Sequence, residues 1–477
     1  MLILLAICHG LLVLGFTARI LIRDDISPPA RTAWFIVLNL VPYFGSAVYF
    51  LFGETDIGHR ASQRYKEIFK ETRLVIGRGA SNAHAMPPLI DPKYQPAFDY
   101  AASINGFALV GGNTAALMPS ADDTLQGMVR DIDAATDHVH VLYYIWLDDT
   151  TGTAIADALI RATQRGVTCR AMADGLGSRS LVGSSLWLQM QDAGVHLAVA
   201  LPLNNPIRTI LTSRLDLRNH RKITVVDGRI TYCGSRNSAD PEFRVKPKYA
   251  PWVDIMLRFE GPIVAQNQLL FATDWMAATG ENILEPTSRH GASAEGFTAV
   301  VVGDGPTERR GATPQLFANL IACARDCITI STPYFVPDAT LLDALCTAAY
   351  RGVDVTLIFP ARNDSWIVAA ASRSYYRRLL EAGCRIHEFE AGLLHAKTFT
   401  MDGQVTLVGS SNLDLRSFDL NYENNILLED ETITRAVCDR QKEYLGLSSA
   451  ISLYDVSNWS PPRKAWYNVV ATVGPLL

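Results

Sequence analysis

Residues 219–228 read NHRKITVVDG, and residues 394–403 read LHAKTFTMDG. Both stretches carry a histidine, a lysine two positions later, and an Asp-Gly pair that starts five positions after the lysine. Asp-Gly between two apolar, β-prone segments is a strong hairpin signal. Residues two apart on a strand point to the same face of the sheet. Each histidine is therefore predicted to share a face with its lysine, and each aspartate to lie at a turn.

The strand that returns from each hairpin ends in a small polar cluster with the pattern Gly-Ser-x-Asn. Its glycine lies seven positions after the aspartate in both copies. A carboxylate follows each cluster, Asp254 in PWVDI and Glu423 in LNYENN, and these two are predicted to orient the histidine rings. The polar residues of the clusters are predicted to bind phosphate oxygens: Ser235, Asn237, Ser410 and Asn412.

The repetition extends over a whole domain. In the first half, the strand-like HVHVLYYIW (138–146) precedes a helical pattern over residues 152–166 and the strand VTCRAMADG. The same order returns over residues 327–361. Alternating strands and helices predict an α/β fold with two similar domains, each a mixed β-sheet flanked by helices. Similar domains tend to pack about a pseudo-twofold axis, which would bring the two motifs together.

A face that carries two histidines, two lysines, two serines and two asparagines suits a phosphodiester. Cations and amides would stabilise the charge that builds on the non-bridging oxygens in the transition state. One imidazole would attack phosphorus and form a phosphohistidine, while the other would donate and accept the proton of the alcohol. The residues alone do not say which histidine attacks. The two aspartates belong to the motif, but they are expected to fix the hairpins. The predicted catalytic set comprises both motif triplets: His220, Lys222, Asp227, His395, Lys397 and Asp402.

Composition narrows the function classes. The chain has 477 residues, of which 48% are hydrophobic, and a formal net charge of −5. This length predicts more than one domain, and the acidic balance argues against a nucleic-acid-binding protein, which gains affinity from a basic surface. The eight cysteines show no zinc-site or disulfide-framework spacing, and no HExxH motif is present. We therefore predict no metal, no cofactor and no nucleic-acid partner.

Two apolar runs open the chain. Residues 1–18 contain no Lys, Arg, Asp or Glu, and neither do residues 32–53, TAWFIVLNLVPYFGSAVYFLFG. Each run is long enough to cross a bilayer, so two transmembrane helices are predicted. A signal peptide is the alternative for the first run, but no basic residue precedes Arg19. Three basic residues between the runs, against five soon after the second, place the C-terminal part in the cytoplasm.

These features divide the chain into five predicted segments. Residues 1–53 form the two transmembrane helices, and residues 54–110 form a juxtamembrane segment and connector. Residues 111–290 and 291–455 are the two similar domains. Residues 456–477 are an apolar C-terminal tail.

The duplicated motif resembles that of the phospholipase D superfamily, and the chain more narrowly resembles bacterial cardiolipin synthases over nearly its whole length. This resemblance implies a membrane-anchored phosphatidyltransferase that converts two phosphatidylglycerol molecules into cardiolipin and glycerol. It also implies that His220 is the nucleophile, that His395 is the acid and base, and that the catalytic domains face the cytoplasm at a bacterial inner membrane. The stretches that carry the likeness are RNHRKITVVDG, TPYFVP, SRSYYRRLLEAG, LHAKTFTMDG, GSSNLDLRSFDLNYENN and the N-terminal apolar hairpin that ends in LFGE.

Other functions stay open at this point. The same residues would serve a hydrolase of phospholipid phosphodiesters, in which water is the acceptor, and relatives differ in whether phosphatidylethanolamine is a donor. A membrane scaffold with a relic domain is disfavoured, because both motif copies keep their histidine and lysine.

Overall fold

A computed structural model describes most of the chain. It covers residues 2–24, 26, 28–41, 43–53, 63–71, 89–202, 216–243, 245–284, 293 and 296–472. Parts of the predicted connector, the predicted domain boundary at residue 290 and the last five residues of the predicted tail lie outside the described residues.

Helices and strands alternate along both halves. The helices are α1 (Leu2–Ile22), α2 (Pro28–Leu40), α3 (Phe44–Phe52), α4 (63–71), α5 (Gln95–Asn105), α6 (Ala121–Asp133), α7 (Thr150–Gln164), α8 (Arg179–Val182), α9 (Ser185–Asp192), α10 (Ile263–Thr279), α11 (Ala312–Cys323), α12 (Ala339–Tyr350), α13 (Trp366–Ala382), α14 (Leu415–Asp419), α15 (Glu431–Gly446), α16 (Leu453–Ser457) and α17 (Pro461–Thr472). The strands are β1 (Val110–Leu117), β2 (His138–Tyr143), β3 (Thr168–Asp174), β4 (His196–Ala200), β5 (Arg218–Asn219), β6 (Lys222–Val226), β7 (Ile230–Gly234), β8 (Trp252–Val253), β9 (Met256–Glu260), β10 (Phe297–Asp304), β11 (Cys327–Ser331), β12 (Phe335–Val336), β13 (Asp354–Pro360), β14 (Arg385–Phe389), β15 (Leu393–Leu394), β16 (Thr398–Met401), β17 (Val405–Gly409), β18 (Leu413–Asp414), β19 (Asn421–Glu429) and β20 (Ser448–Ile451).

One large mixed sheet joins the two halves. Counted inward from each edge of the sheet, the strands of the two halves follow nearly the same order of counterparts. The first half contributes β4-β3-β2-β6-β7-β9-β1, and the second contributes β10-β19-β17-β16-β11-β13-β14-β20. Strands β1 and β10 pair antiparallel at the junction. In each half the strands of the motif hairpin have the same neighbours, so the halves are equivalent units about a pseudo-twofold axis. The predicted α/β architecture of two similar domains is confirmed.

Both motif hairpins close with the predicted Asp-Gly turn. Asp227 and Gly228 have φ angles of 49° and 61°, and Asp402 and Gly403 have φ angles of 52° and 64°. In each hairpin these two residues are the central pair of a β-turn, closed by a hydrogen bond from the N–H of Arg229 to the carbonyl of Val226 and from that of Gln404 to that of Met401. The turns hold each histidine and lysine at the far end of the first hairpin strand.

The aspartates of the motif anchor these turns to the sheet. The Asp227 carboxylate accepts hydrogen bonds from the backbone N–H groups of residues 136–138, at 2.9 to 3.2 Å. Asp402 accepts the equivalent bonds from residues 325–327, at 2.8 to 3.2 Å. Each carboxylate therefore fastens the hairpin to the start of the neighbouring strand. The two aspartates therefore hold the hairpins, as their position at the turns predicted, and within the predicted catalytic set their role is structural.

A hydrophobic core runs through both halves. Ile223 and Leu257 from the first half and Leu407 and Ile426 from the second belong to one cluster of buried side chains. Removal of apolar side chains from water stabilises their contact by roughly 25 cal/mol per Å². The halves therefore cannot separate without exposing part of a shared core, and this fixes the geometry of any site between them.

The two apolar runs differ in their structure. The first forms α1, of which Ile3–Ile22 is long and apolar enough to cross a bilayer. The second divides into α2 and α3, which have 13 and 9 residues, whereas a span needs about 20. The sequence has a proline at position 42, between these two helices, and proline has no backbone N–H to continue a helix and disfavours helix in the residue before it. Among the described residues, only the first predicted span is therefore a continuous helix of spanning length.

Candidate active site

Each half of the sheet supplies one histidine and the carboxylate that contacts the other one. Strand β5, just before His220, pairs in parallel with the start of β19, which carries Glu423. Strand β15, just before His395, pairs in parallel with β8, which precedes Asp254. The backbone N–H of His220 donates to the carbonyl of Tyr422 at 2.8 Å. Each motif segment therefore pairs with a strand of the other half, across the pseudo-twofold axis.

Both rings are held through Nδ1. His220 Nδ1 lies 3.0 Å from both carboxylate oxygens of Glu423, and His395 Nδ1 lies 2.6 Å from Asp254 Oδ1. A carboxylate at Nδ1 fixes that nitrogen as the one that bears hydrogen, which leaves Nε2 to react. The predicted orienting carboxylates thus contact the rings. The spacing of the motifs did not predict that each carboxylate serves the ring of the opposite half.

The electrostatics of the protein around the rings favour neutral imidazole. Burial lowers the pKa of His220 to about 4, although Glu423 opposes the shift. Burial and the nearby Lys397 lower the pKa of His395 in the same way. An anionic phosphodiester placed between the rings would raise both values, because it favours the charged form of a neighbouring group. One ring can then hold a proton while the other remains a nucleophile.

The two lysines lie in the same small volume. Lys222 Nζ donates to the carbonyl oxygen of His220 at 2.6 Å, and Lys397 Nζ donates to that of His395 at 2.7 Å. Burial lowers the pKa of Lys222 to about 8 and that of Lys397 to about 7, and the charge of Lys222 lowers the Lys397 value further. Two ammonium groups that repel each other at a buried position form a ready site for an anion.

The serines of the polar clusters do not have the role predicted for them. Ser235 Oγ donates to Asp254 at 2.6 Å and accepts from the backbone N–H of Ile255. Ser410 Oγ donates to Glu423 at 2.5 Å and accepts from the backbone N–H of Asn424. Both hydroxyl protons are therefore committed to the carboxylates. We correct their predicted phosphate-binding role to that of holding the groups that orient the histidines.

The asparagines of the clusters keep polar atoms for a ligand. Asn237 accepts from the backbone N–H of Ile145 at 3.2 Å, while its Nδ2 is buried without a hydrogen-bond partner. Asn412 Nδ2 contacts Ser417 Oγ at 3.1 Å, and its Oδ1 has no partner. Because the N and O of an amide are assigned from their partners, a rotated Asn412 amide would also present an N–H. A buried donor without a partner costs about 1–3 kcal/mol, which a phosphate oxygen would recover.

Aromatic rings that the sequence analysis missed cover the outer sides of the histidines. Trp252 stacks on His395 with ring centroids 4.6 Å apart, and Tyr144 meets His220 edge-on at 4.8 Å. Phe243 stacks on Trp252 in turn, at 3.9 Å. These rings exclude water from the imidazoles and restrict their rotation. The signal in the sequence was the aromatic residues within the strand-like segments YYIW and PWVDI.

A buried arginine braces the site from behind. Arg221 lies between His220 and Lys222 and points to the opposite side of the strand, where its guanidinium contacts Asp274 at 2.6 Å. It also donates to the hydroxyl of Tyr65 at 2.9 Å and to the carbonyl of Glu423 at 3.0 Å. Tyr65 belongs to α4, which follows the apolar N-terminal segment. The sequence signal was an arginine at the unassigned position of the motif.

Replacement of Arg221 with methionine is expected to lower the free energy of unfolding by about 3–5 kcal/mol, because Asp274 is left buried without its partner. Thermal unfolding of the purified chain measures this change. The matched control is Arg378→Met, which breaks a half-exposed ion pair with Asp343 and is expected to cost about 0–1 kcal/mol. An Arg221→Met protein as stable as the control would contradict the bracing role.

The chain matches known families in the regions that build this site. Residues 128–250 and 317–443 both match the family described as cardiolipin synthase, PLD-like domain. Residues 11–54 match the family described as phospholipase D-nuclease N-terminal. The two PLD-like matches fall on the two equivalent halves of the sheet, and each contains one His-Lys-Asp motif.

Similar proteins cover nearly the whole chain. Cardiolipin synthase A from Yersinia pseudotuberculosis serotype O:1b (strain IP 31758) is 35% identical over 466 residues, which are 97% of this chain and 94% of that protein. Cardiolipin synthase A from Yersinia pestis bv. Antiqua (strain Angola) gives the same values. Among solved structures, the phosphatidylserine synthase of Haemophilus influenzae Rd KW20 has a TM-score of 0.59 at 15% identity, covering 81% of this chain and 100% of that one, a likeness of fold. The chain belongs to the cardiolipin synthase family of phospholipase D-like proteins.

Proposed function

We propose that the chain is a cardiolipin synthase that transfers the phosphatidyl group of one phosphatidylglycerol to the headgroup hydroxyl of a second, giving cardiolipin and glycerol. The observation that carries this function is the pair of histidines, each held at Nδ1 by the opposite half's carboxylate, beside two buried lysines. The enzyme is a phosphatidyltransferase that acts on phospholipid at a membrane.

In the first step, His220 Nε2 attacks the phosphorus of the donor lipid. The bond between phosphorus and the headgroup glycerol oxygen breaks, and that oxygen takes a proton from His395 Nε2, which releases glycerol. Lys222, Lys397 and the free amide of Asn237 stabilise the charge on the non-bridging oxygens as phosphorus becomes five-coordinate. The product is a phosphatidyl group bound to His220.

In the second step, the headgroup hydroxyl of another phosphatidylglycerol gives its proton to His395 and attacks the same phosphorus. The bond between phosphorus and His220 breaks, cardiolipin forms, and both rings return to their starting states. The family resemblance suggests these roles, and the contacts of the rings support them. Burial lowers the pKa of both rings, which keeps the attacking His220 unprotonated as a nucleophile must be, while the shorter carboxylate contact, 2.6 Å to Asp254, favours the imidazolium at His395 once the anionic lipid binds.

Purified chain supplied with phosphatidylglycerol alone is expected to accumulate cardiolipin and free glycerol in equal amounts. Thin-layer chromatography and a glycerol assay measure both products. The rate is expected to be unchanged by a chelator, since the lysines and imidazoles supply the charge and proton transfers in this mechanism. Phosphatidic acid as the main product would identify a hydrolase, and a requirement for added phosphatidylethanolamine would identify a different donor.

We further propose that the N-terminal helices anchor the chain in a bacterial inner membrane with both catalytic halves on the cytoplasmic side. The support is the apolar α1 and the excess of basic residues after the second apolar run. The chain is expected to stay in the membrane fraction through a high-salt wash, because salt screens charges but leaves apolar burial intact. Release into the supernatant by salt alone would exclude a spanning anchor.

A further inference from the structure

A groove on the surface of the second half has no role in the chemistry described above. It lies between α17, the start of α13 and a short 3-10 turn at Pro247–Tyr249, and its volume is about 340 Å³. Six side chains define what we call the tryptophan groove: Lys248, Tyr249, Arg362, Trp366, Trp466 and Tyr467.

The aromatic residues of the tryptophan groove face water. Trp366 is 62% exposed and Trp466 is 48% exposed, and their rings stack with centroids 5.8 Å apart. Val469, one helical turn from Trp466, is 61% exposed on the same side of α17. Val470, the next residue along α17, packs into a cluster with Val336. Helix α17 is therefore fixed to the body through Val470, while Trp466 and Val469 beside it stay largely exposed.

Positive charge surrounds these rings, although the whole chain carries a net charge of −5. Arg362 and Lys248 are exposed, and no hydrogen bond or ion pair joins the Arg362 side chain to the described part of the chain. Arg463 on α17 lies over the rings of Trp459 and Tyr467, at 4.8 and 5.5 Å from their centroids. Exposed indole rings next to unpaired cations are the combination found where a protein meets the headgroup layer of a bilayer.

The tryptophan groove adjoins the active site. Tyr249 packs against the cluster that contains Phe243 and Trp252, and Trp252 stacks on His395. On the other side, Asp364 follows Asn363 of the groove wall. Its carboxylate accepts hydrogen bonds from Tyr334 and Lys246 at 2.6 and 2.8 Å. The cluster of Phe243 and Trp252 therefore connects the groove to a catalytic imidazole.

We propose that the tryptophan groove docks on the surface of a bilayer that contains anionic phospholipid, as a second membrane contact besides the N-terminal anchor. Trp366, Trp466 and Val469 enter the headgroup layer, while Arg362 and Lys248 bind lipid phosphates. This contact holds the active site close to its lipid substrate. The inference rests on the proposed function only in that the substrate is a phospholipid.

The test uses the full-length chain in mixed micelles, in which the mole fraction of phosphatidylglycerol is varied at constant protein. The double variant Trp366→Ser/Trp466→Ser is expected to raise the interfacial KM at least about tenfold, since two large apolar side chains no longer leave water on docking. Arg362→Gln is expected to raise it about fivefold, the effect of one basic residue at an anionic surface. In both variants kcat at saturating mole fraction stays the same.

Tyr350→Ser and Arg435→Gln are the matched controls, because both residues are exposed and lie on helices away from the tryptophan groove. Consumption of phosphatidylglycerol is measured, so the result is the same whether cardiolipin or phosphatidic acid forms. An unchanged interfacial KM in the double variant, or a loss of kcat without a change in KM, would overturn the proposal. A changed oligomeric state by light scattering, with unchanged KM, would instead mark an interface between copies of this chain.

A second readout needs no turnover. In nanodiscs with brominated phosphatidylglycerol, the bromine quenches tryptophan fluorescence only where an indole enters the lipid. Wild-type protein is expected to lose more fluorescence than the Trp366→Ser/Trp466→Ser variant, and equal quenching would contradict docking. If this test succeeds while no phospholipid is consumed, the proposed function fails and the membrane contact stands.

Discussion

Alanine at His220 alone, or at His395 alone, is expected to remove turnover of phosphatidylglycerol almost completely, by a factor on the order of 10⁴–10⁶. The reason is that one site contains both rings, so neither half of the sheet carries an independent catalyst. Loss of a single member from an interdependent catalytic set in other enzymes costs nearly as much as loss of the whole set. Initial rates of cardiolipin formation measure the effect, and the double variant is expected to be no slower than the single ones.

The two single variants also separate the roles of the histidines. After rapid mixing with labelled phosphatidylglycerol and denaturation without acid, wild-type protein is expected to carry a covalent phosphatidyl label that His220→Ala lacks. His387→Ala is the control, since His387 lies on β14 away from the site. Substantial turnover in either catalytic variant would contradict a shared site. A label that persists in His220→Ala and disappears in His395→Ala would reverse the assignment.

The repeated motif predicted most of the active-site geometry. It combines a local signal, the hairpin turn, with a long-range one, the duplication of a whole domain. Asp-Gly between β-prone segments specifies a hairpin wherever it occurs, and the hairpins at Asp227 and Asp402 formed as expected. The matched order of strands and helices predicted two equivalent units. A twofold axis brings counterpart residues together where they lie beside it, and the two motif segments do so because each pairs with a strand of the opposite half.

Other features depend on contacts between residues far apart in the chain, and spacing alone does not specify these. The pairing of His220 with Glu423 rather than Asp254 follows from the parallel pairing of β5 with β19, which joins residues about 200 positions apart. The serines were predicted to bind phosphate because a hydroxyl can donate to a phosphate oxygen as well as to a carboxylate. Only the fold shows that the Asp254 carboxylate lies 2.6 Å from the hydroxyl of Ser235. The second apolar run has the composition of a span but divides into two shorter helices.

Glutamine at position 423 is expected to lower kcat by a factor on the order of 10³–10⁴, although it differs from glutamate by one atom. Glu423 accepts from His220 Nδ1, from Ser410 Oγ and from Asn421 Nδ2, so both of its oxygens face donors. The amide of glutamine must turn its N–H groups toward one of them. If they face His220, hydrogen moves to Nε2 and the nucleophilic lone pair is lost. An enzyme whose histidine is held in the wrong tautomer by such a change loses about 10⁴ in kcat.

The pH dependence separates this role from a general loss of structure. Glu423 is one of the charges that keep the pKa of the buried Lys222 as high as about 8. Its neutralisation lowers that pKa, so protonated Lys222 is lost at lower pH and the alkaline limb of kcat/KM is expected to move toward acid. Glu429→Gln, on the same strand but distant from the histidines, is the matched control and is expected to keep both the rate and the limb. If Glu423→Gln lowers kcat but leaves the alkaline limb of kcat/KM at the wild-type pH, Glu423 fixes the His220 tautomer without raising the pKa of Lys222. If Glu423→Gln keeps the wild-type kcat, the carboxylate has no part in the mechanism.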